Sequence, residues 1–332
     1  MTVKNSAKAS FSFPLWHGKP YYSLDAYCKN TFQEKLYKIA LDAGFTCPNR
    51  DGTLDTRGCI FCSEGGSGDF ATSLSSPADF NRALSNGKLR LSKKQVGSRF
   101  IAYFQAYTGT YAPISYLDMV YRTALSDPEI AGISIATRPD CLPFEVLELL
   151  GTLKRDYPDK FIWIELGLQT IHEQTALFIR RGYTLPCFEK AVSSLQALSI
   201  PVIVHLILGL PGETKADILA SVSYLNSLPI WGIKLQLLHI LKGTDLASLY
   251  QENPTKICVF PARDAYLDLL IDCIEHLRSD IVIHRVTGDA PKSLLIAPLW
   301  SSDKRGVLNA LHQKMKERSA FQGKRCKEIY HA

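Results

Sequence analysis

Apolar and polar positions along the chain divide it into two kinds of segment that alternate. Short runs of β-branched and other apolar residues recur, and each is followed by a longer stretch with apolar positions at helical spacing. The runs that predict strands span 36–44, 99–107, 131–137, 161–170, 201–210, 232–241 and 280–289. The stretches that predict helices span 114–126, 143–157, 172–182, 187–200, 211–228 and 262–277. This alternation predicts a parallel sheet with helical crossovers.

The strand candidates are apolar almost throughout, as in a sheet that is covered on both faces. About seven strand–helix units occur, too few and too unevenly spaced for a closed eight-stranded barrel. We therefore predict an α/β fold with an open or partial barrel. Polar residues stand inside or just past the strand candidates, near the carboxyl ends where such sheets carry their chemistry: Gln105, Thr137, Glu165, Gln169, His205 and His239.

The composition is that of an ordinary globular protein, with 46% hydrophobic and 21% charged residues among 332. No apolar run approaches the roughly 20 residues of a membrane-spanning helix, so no membrane contact is expected. Nine scattered cysteines argue against a secreted disulfide framework and favour a reducing compartment, so we expect a cytoplasmic protein. The first residues carry lysines and serines but no acid before Asp25, which leaves an organelle transit peptide open beside an ordinary flexible arm.

The net charge of +6 is informative only through its distribution. Basic residues outnumber Asp303 and Glu317 at the end of the chain, and they are Lys304, Arg305, Lys314, Lys316, Arg318, Lys324, Arg325 and Lys327. Such a segment suits contact with a polyphosphate backbone. The alternative is a solvated C-terminal helix with a basic face, and the sequence leaves both interpretations open.

Three cysteines fall in one polar, glycine-rich loop after the first strand candidate: Cys47, Cys59 and Cys62. Thiolates favour zinc, copper(I) or iron–sulfur clusters. A structural zinc site closes with four ligands, and His17 or Cys28 are candidates for the fourth. A [4Fe–4S] cluster would explain why there are only three cysteines, because three thiolates bind three of its irons and the fourth iron keeps an open position for a substrate.

The cysteine loop resembles that of the radical S-adenosylmethionine (SAM) superfamily, including an aromatic residue, Phe61, before the last cysteine. The usual spacing there is Cys-x3-Cys-x2-Cys. Here eleven residues separate the first two cysteines, which resembles the branch of the Elp3-like enzymes and the YhcC/YtqA-type bacterial proteins. Further motifs resemble this branch in the family's order: "ATRPD" at 136–140, "ELGLQT" at 165–170 with "RRGYT" at 180–184, and "HLILGLPGET" at 205–214.

The resemblance covers roughly residues 20–290 and implies a partial (β/α)6-type radical SAM barrel with parallel strands and outer helices. Residues 1–19 are then expected to form a flexible N-terminal arm, and residues 291–332 a basic C-terminal extension. The implied cofactors are a [4Fe–4S] cluster on the three cysteines and SAM on its open iron. An external one-electron reductant of the flavodoxin or ferredoxin type is implied as a partner, because the family cleaves SAM reductively to a 5′-deoxyadenosyl radical.

The resemblance also implies the residues that hold SAM: Gln105, Thr108, Glu165, Gln169, Arg181, His205 and Gly209. Gln105 and Thr108 stand where the family often has a Gly-Gly-Glu stretch, which this sequence lacks. Gln169 is expected to bond the cofactor and Arg181 to hold its carboxylate, a task that suits a guanidinium fork. The alternative for Arg181, or for the adjacent Arg180, is an arginine at a helix end.

Three of these residues have a second interpretation. Glu165 lies on an otherwise apolar strand and needs a partner if buried, so it either bonds the ribose hydroxyls or pairs with a lysine. His205 favours the Elp3-like branch, but a satisfied core histidine would look the same. Gly209 belongs either to a turn whose backbone meets adenine or to an ordinary strand-to-helix turn. No catalytic residue is assigned.

The implied substrate is tRNA, with remodelling of the 5-side chain of the wobble uridine, because the Elp3-like relatives modify that nucleotide. The basic end of the chain, with Tyr330 and His331, and the lysines of 88–94 suit a tRNA backbone. The resemblance does not include Elp3's acetyltransferase domain, so acetyl transfer is not expected. The alternatives are a radical enzyme acting on a small molecule or cofactor precursor, and a non-catalytic zinc-binding RNA adaptor.

Overall fold

The computed structural model describes residues 16–74, 79–91, 97–254, 257 and 260–326. Most of its strands lie in one sheet: β1 (Tyr37–Asp42), β2 (Thr72–Ser73), β3 (Phe100–Phe104), β4 (Ile130–Thr137), β5 (Phe161–Gln169), β6 (Val202–Leu208), β7 (Gly232–Leu237) and β9 (Val282–Arg285). All neighbours in this sheet are parallel, in the order β2-β1-β3-β4-β5-β6-β7-β9. Two further strands, β8 (Ile240–Leu241) and β10 (Leu295–Ala297), form an antiparallel pair.

Helices connect the strands of the parallel sheet. The described residues form α1 (Leu24–Phe32), α2 (Phe80–Leu91), α3 (Ile114–Ser126), α4 (Phe144–Asp156), α5 (Glu173–Phe178), α6 (Leu185–Ala197), α7 (Lys215–Asn226), α8 (Asp245–Glu252), α9 (Arg263–His276) and α10 (Lys304–Glu317). Local chemistry explains where some of them begin. Thr214 accepts a hydrogen bond from the backbone N–H of Asp217, whose carboxylate accepts one from the Thr214 N–H in return, and this capping box starts α7.

The sheet is open, because its two outer strands, β2 and β9, do not pair with each other among the described residues. Strands β3 to β7 follow one another in the sheet in chain order, as successive strand–helix units produce. The predicted α/β partial barrel is therefore confirmed.

The two-residue period of the strands separates an apolar core from a polar interior. In β5, Ile162, Ile164 and Leu166 belong to the core that packs under the helices. The intervening Glu165 and Gln169 line a cavity on the other face. Strands β3, β6 and β7 divide in the same way, and their side chains that line the cavity are Tyr103, His205, Lys234 and Gln236.

Two predicted elements differ from the structure. The run 232–241 was predicted as one strand, but β7 ends at Leu237 and β8 continues in the other sheet. The run 172–182 was predicted as one helix, but α5 ends at Phe178. Arg180 and Gly182 take left-handed conformations, with φ of +55° and +83°, which a helix cannot continue. These four residues after α5, 179–182, form what we call the α5 corner.

Residues near both ends of the described chain pack against each other. The side chain of Gln322 donates to the carbonyls of Arg278 and Ile281 and accepts from the backbone N–H of Tyr22. The predicted domain boundaries after residues 19 and 290 stay predictions, and residues 1–15 of the predicted arm lie outside the described residues. No helix in the described ranges is long and apolar enough to cross a membrane.

Candidate active site

A cavity with about 950 Å³ of empty space opens at the carboxyl ends of the parallel strands. Its wall includes all three cysteines of the loop after β1 and one inward residue from each of six strands: Tyr103, Ala136, Glu165, His205, Lys234 and Arg285. The cavity therefore brings the thiols and the polar interior of the barrel to one place.

Nine of the ten predicted site residues line this cavity: Cys47, Cys59, Cys62, Gln105, Thr108, Glu165, Gln169, Arg181 and His205. Gly209 is separate from them. It follows β6 in a turn with φ of +92°, and a Cβ there would lie 2.7 Å from a ring carbon of Phe260. Gly209 thus fits the interpretation as an ordinary strand-to-helix turn. The assignment of the other residues to SAM stays a prediction.

Two side chains next to Cys47 fix the shape of the cysteine loop. The amide Nδ2 of buried Asn49 donates to the carbonyl of Arg180 at 2.7 Å and lies 3.5 Å from Cys59 Sγ. The Nη2 of Arg50 donates to the carbonyls of Cys62 and Ser63 at 2.9 and 2.6 Å. Side chains that follow the first cysteine therefore hold the segment that carries the other two. Sequence reasoning missed Asn49 and Arg50, although their position two and three residues after Cys47, in "CPNR", was a signal that they belong to the site.

The α5 corner supports the cysteine loop from the other side. The N–H of Ile60 donates to the carbonyl of Ile179 at 3.2 Å, and the Cys59 thiol lies 3.5 Å from the carbonyl of Arg180. A Cβ at Gly182 would lie 2.8 Å from Oδ1 of Asn49. The glycine of "RRG" is therefore required structurally, because a side chain at position 182 would prevent Asn49 from lying this close to the α5 corner.

Arg181 is 1% exposed and uses most of its guanidinium within the protein. It donates to the carbonyls of Leu168, Thr170 and Tyr183 at 3.1, 2.7 and 2.9 Å, which ties the end of β5 to the α5 corner. These bonds occupy three of its five N–H groups and leave the two on Nη2, which lies 3.4 Å from Glu173. The predicted hold on the SAM carboxylate therefore depends on Nη2.

Gln169 reaches the cavity through a β-bulge between β5 and β6. Its φ is +62°, and its Oε1 accepts a hydrogen bond from the Tyr183 hydroxyl at 2.9 Å. A Cβ at Gly167 would lie 2.4 Å from Nε2 of Gln169, so the glycine of "ELGLQT" makes room for this side chain.

Glu165 is fully buried and lies at the centre of a charged cluster in the barrel. Lys38 and Lys234 both form close ion pairs with it, Ser134 Oγ donates at 2.6 Å, and His205 Nε2 lies 2.7 Å away. Burial alone would raise the pKa of Glu165, but Lys234, Lys38 and the bond from His205 hold it well below its usual range. Glu165 thus has the lysine partner that its burial demands. Contact with the ribose stays a prediction.

Burial, helped by the charge of Lys234, lowers the pKa of His205 to about 4. The imidazole is therefore neutral at pH 7, and the short contact to the Glu165 carboxylate places its one proton on Nε2. Burial also lowers the pKa of Lys38, and it lowers the pKa of Lys234 well below its usual range. The negative charge of Glu165 opposes both shifts. Sequence reasoning missed both lysines, since each is one polar residue in an apolar strand.

Two of the three cysteine thiols, those of Cys59 and Cys62, sit in a desolvated environment. Burial raises the pKa of Cys59 to about 12 and raises that of Cys62, against the opposing charge of Arg50. Such thiols are protonated at pH 7, so metal binding must release their protons. Within the described ranges, no three His, Cys, Asp or Glu side chains converge closely enough to hold a single metal ion.

The two residues considered as a fourth zinc ligand lie elsewhere. Cys28 is buried with Leu36 and Ile101, near the amino ends of the strands, and His17 Nε2 is 2.8 Å from Asn30 Oδ1. Neither lines the cavity that contains the three cysteines. The zinc interpretation therefore finds no fourth ligand at either of these positions.

Comparison with known proteins identifies the class to which this fold and site belong. The chain matches the profile of the Radical SAM superfamily over residues 56–225 and that of the Radical_SAM C-terminal domain over residues 230–317. It belongs to the radical SAM superfamily, and the predicted resemblance is confirmed.

Individual relatives narrow the class. YtqA of Bacillus subtilis (strain 168) is 40% identical over 306 residues, 92% of each chain. A tRNA uridine(34) acetyltransferase of Dehalococcoides mccartyi is 27% identical over 192 residues, which is 55% of this chain and 39% of that protein. The structure of Elp3 from Methanocaldococcus infernus, with an N-terminal deletion, superposes with a TM-score of 0.63 at 13% identity, over 88% of this chain and 64% of that one. That likeness shows a shared fold.

The cofactors of the protein are accordingly a [4Fe–4S] cluster and SAM, and the residues present fit them. The three thiols line one cavity, which suits a cluster whose cysteines bind different irons. When bound, these cofactors supply a 5′-deoxyadenosyl radical after one electron arrives from an external reductant. The chain's own side chains brace the wall that would hold these cofactors, since Asn49, Arg50 and Arg181 donate to backbone carbonyls there.

Proposed function

We propose that the chain is a radical SAM enzyme that modifies tRNA at the 5-side chain of the wobble uridine. The observation that carries this proposal is the similarity to a relative whose name specifies uridine 34 of tRNA, combined with a cavity lined by three cysteines. In this proposal Cys47, Cys59 and Cys62 bind the cluster, and Gln105, Thr108, Gln169 and Arg181 hold SAM. The uridine would enter the rest of the cavity.

The basic end of the chain gives this proposal less support than its composition promised. Five of its basic residues form ion pairs within the protein: Lys304 with Asp289, Lys314 and Arg318 with Asp268, and Lys324 and Arg325 with Glu275. Among the described basic residues of 304–326, Arg305 and Lys316 form no ion pair. Lys327, Tyr330, His331 and part of the 88–94 segment lie outside the described residues.

A radical enzyme that acts on a small molecule or cofactor precursor is the second candidate, and the paired basic residues favour it. Each internal ion pair neutralises a positive charge that a phosphate backbone would otherwise contact. The affinity of this segment for RNA phosphates and the salt dependence of that affinity are therefore both reduced. An RNA substrate then has to be recognised chiefly inside the cavity.

We also propose that the protein works in the cytoplasm. The eight cysteines within the described ranges form no disulfides with one another, which fits a reducing compartment, and the cluster needs an electron donor of the flavodoxin or ferredoxin type.

Mass spectrometry of tRNA nucleosides tests the tRNA proposal. A strain that lacks the gene should lose or accumulate a 5-substituted uridine, and the wild-type gene should restore the profile. A Cys59→Ala gene expressed at the same level is the control and should not restore it. An unchanged nucleoside profile in the deletion strain would remove the tRNA proposal and leave the small-molecule enzyme.

A further inference from the structure

The wall of the cavity formed by the last strands, β7 and β9, carries two polar side chains that are not engaged. Arg285 and Gln236 both line the cavity. Within the described part of the chain, neither side chain forms a hydrogen bond or an ion pair. Arg285 is the register partner of Lys234, and Gln236 lies two residues further along β7 on the same face. We call Arg285 and Gln236 the β7–β9 pair.

Arg285 differs in this respect from the other arginines of the cavity wall. Arg50 and Arg181 donate to backbone carbonyls, and Arg138 forms a two-pronged pair with Asp140 at 2.9 and 2.7 Å. A guanidinium is always charged and offers five N–H donors. A half-buried arginine without acceptors has lost part of its hydration without forming hydrogen bonds that compensate for the loss. A ligand can supply the missing acceptors.

The positive charge near Arg285 is not balanced by the protein. Among the described residues that line the cavity, Glu165 is the only carboxylate, and it already has two lysines. Burial is the main cause that lowers the pKa values of Lys38, Lys234 and His239, and the nearby charge of Arg285 lowers them further. An anion next to Arg285 would offset that excess.

The two acids at the adjoining mouth of the cavity do not serve Arg285. Asp69 accepts a hydrogen bond from Ser63 Oγ at 2.8 Å, and Asp289 pairs with Lys304. Both line the mouth, as Arg285 does, but neither forms an ion pair with it among the described residues. The site is therefore short of a negative charge at one definite place.

We propose that the β7–β9 pair binds an anionic group of the substrate, a carboxylate or a phosphate, with Arg285 as the fork and Gln236 as a neutral donor beside it. This inference rests on the proposed function in that the ligand is the substrate of the same cavity. The SAM carboxylate is a poorer occupant, because the cysteines that would hold the cluster and Nη2 of Arg181 belong to the loop after β1 and the α5 corner rather than to β7 and β9. Arg285 is thus a specificity-determining residue that selects a charged substrate over its neutral analogue.

Binding of matched charged and neutral probes tests this assignment. Isothermal titration calorimetry would use the holoenzyme, with its cluster reconstituted and SAM bound. One probe pair is uridine with an acetate or an acetamide group at C5, another is uridine 5′-monophosphate or uridine, and a nucleoside-free pair is succinate or succinamide. The first pair places the anion on the base, the second places it on the sugar, and the third detects a small carboxylate.

The wild-type protein should prefer the charged member of at least one pair. Arg285→Gln should reduce that preference by about ten- to a hundredfold, the worth of a hydrogen bond between charged groups. Arg285→Lys should keep part of it, which also guards against a fold that tolerates no neutral residue here. The matched control is Arg263→Gln, at an exposed arginine in α9 outside the cavity, and it should keep the whole preference.

Three results would overturn the inference: no pair shows a preference for charge, the preference survives in Arg285→Gln, or Arg285→Gln weakens SAM binding itself. The last result would assign the arginine to the cofactor. A changed tRNA profile in the deletion strain would stand in all three cases, so failure here differs from failure of the proposed function.

Discussion

The two sides of the cavity treat their polar side chains in opposite ways. On the cysteine side, Asn49, Arg50 and Arg181 donate to backbone carbonyls of neighbouring loops. On the side of β7 and β9, the Arg285 and Gln236 side chains form no such bonds within the described residues. This difference indicates that the cysteine side is a fixed framework and that the side of β7 and β9 is available to bind a ligand. A cluster and its cosubstrate need fixed positions, whereas a substrate must find donors that the protein has not already used.

Glu165 and its partners lie between the two sides and link them. Its carboxylate joins Lys38 of β1, Ser134 of β4, His205 of β6 and Lys234 of β7, so one residue of β5 connects most of the barrel. A change here should disturb both sides, whereas a change on either side should stay local.

Loss of a cysteine ligand should have the largest effect on the cysteine side. Cys59→Ala should abolish cluster binding, because two thiolates cannot hold a [4Fe–4S] cluster that three are needed to anchor. Iron and sulfide analysis after anaerobic reconstitution measures this. Cys187→Ala, at a half-buried cysteine in α6 outside the cavity, is the control and should keep full iron content. Full iron in Cys59→Ala would refute the ligand assignment.

Removal of the central charge should destabilise the barrel as a whole. Glu165→Gln leaves two buried lysines without their counter-charge, and we expect a loss of about 3–5 kcal/mol in the free energy of unfolding. Urea denaturation at pH 7.5 measures it. Glu129→Gln is the matched control, because its ion pair with Lys88 is solvent-exposed and should cost less than about 1 kcal/mol. Equal losses in the two variants would show that the buried cluster is not structural.

Replacement of the guanidinium that ties β5 to the α5 corner should have an intermediate effect. Arg181→Lys cannot reproduce three carbonyl bonds, so stability should fall by about 1–3 kcal/mol and SAM affinity should fall with it. Calorimetry of SAM binding and urea denaturation measure the two quantities. Arg180→Lys keeps a cation for the ion pair with Asp245 and should change both less. The opposite order would assign the cofactor to Arg180.

The smallest expected effect is an acid sensitivity due to His205. Its pKa is lowered from about 6.5 to about 4 in the folded protein, so the unfolded chain binds the extra proton first as the pH falls. The contribution of neutral His205 to the stability of the folded protein is complete above pH 6.5 and is lost progressively between pH 6.5 and pH 4. By pH 5.5 the loss is about 1 kcal/mol.

Comparison with His205→Gln isolates this contribution. The variant keeps a donor for Glu165 but does not titrate, so its free energy of unfolding should fall less between pH 7.5 and pH 5.5 than that of the wild type. His239 and His284, whose pKa values are also lowered by burial, remain in both proteins, and only the smallest cause of the His284 shift, the charge of His205, differs between them. Parallel pH profiles would show that His205 does not titrate in this range.

The sequence by itself determined most of the strands and helices and limited the metals that the cysteine loop can hold. The apolar runs became parallel strands because burial on both faces requires apolar residues at nearly every position, a local signal. The three thiols were also a local signal, since ligand type and number limit the metals that a loop can hold. Even some details were local, such as Gly167, which makes room for Gln169 two residues away.

Only the tertiary structure decided which polar groups satisfy one another. Lys38 and Glu165 are 127 residues apart in the chain, and no sequence pattern shows that strand order brings them together. The tertiary structure likewise leaves Arg285 without an acceptor among the described residues and places Gly209 outside the cavity wall. It also pairs Lys314 and Arg318 of α10 with Asp268 of α9. The reason is physical: a strand or a thiol depends on its neighbours in the chain, whereas a buried charge depends on neighbours that only the folded sheet brings near.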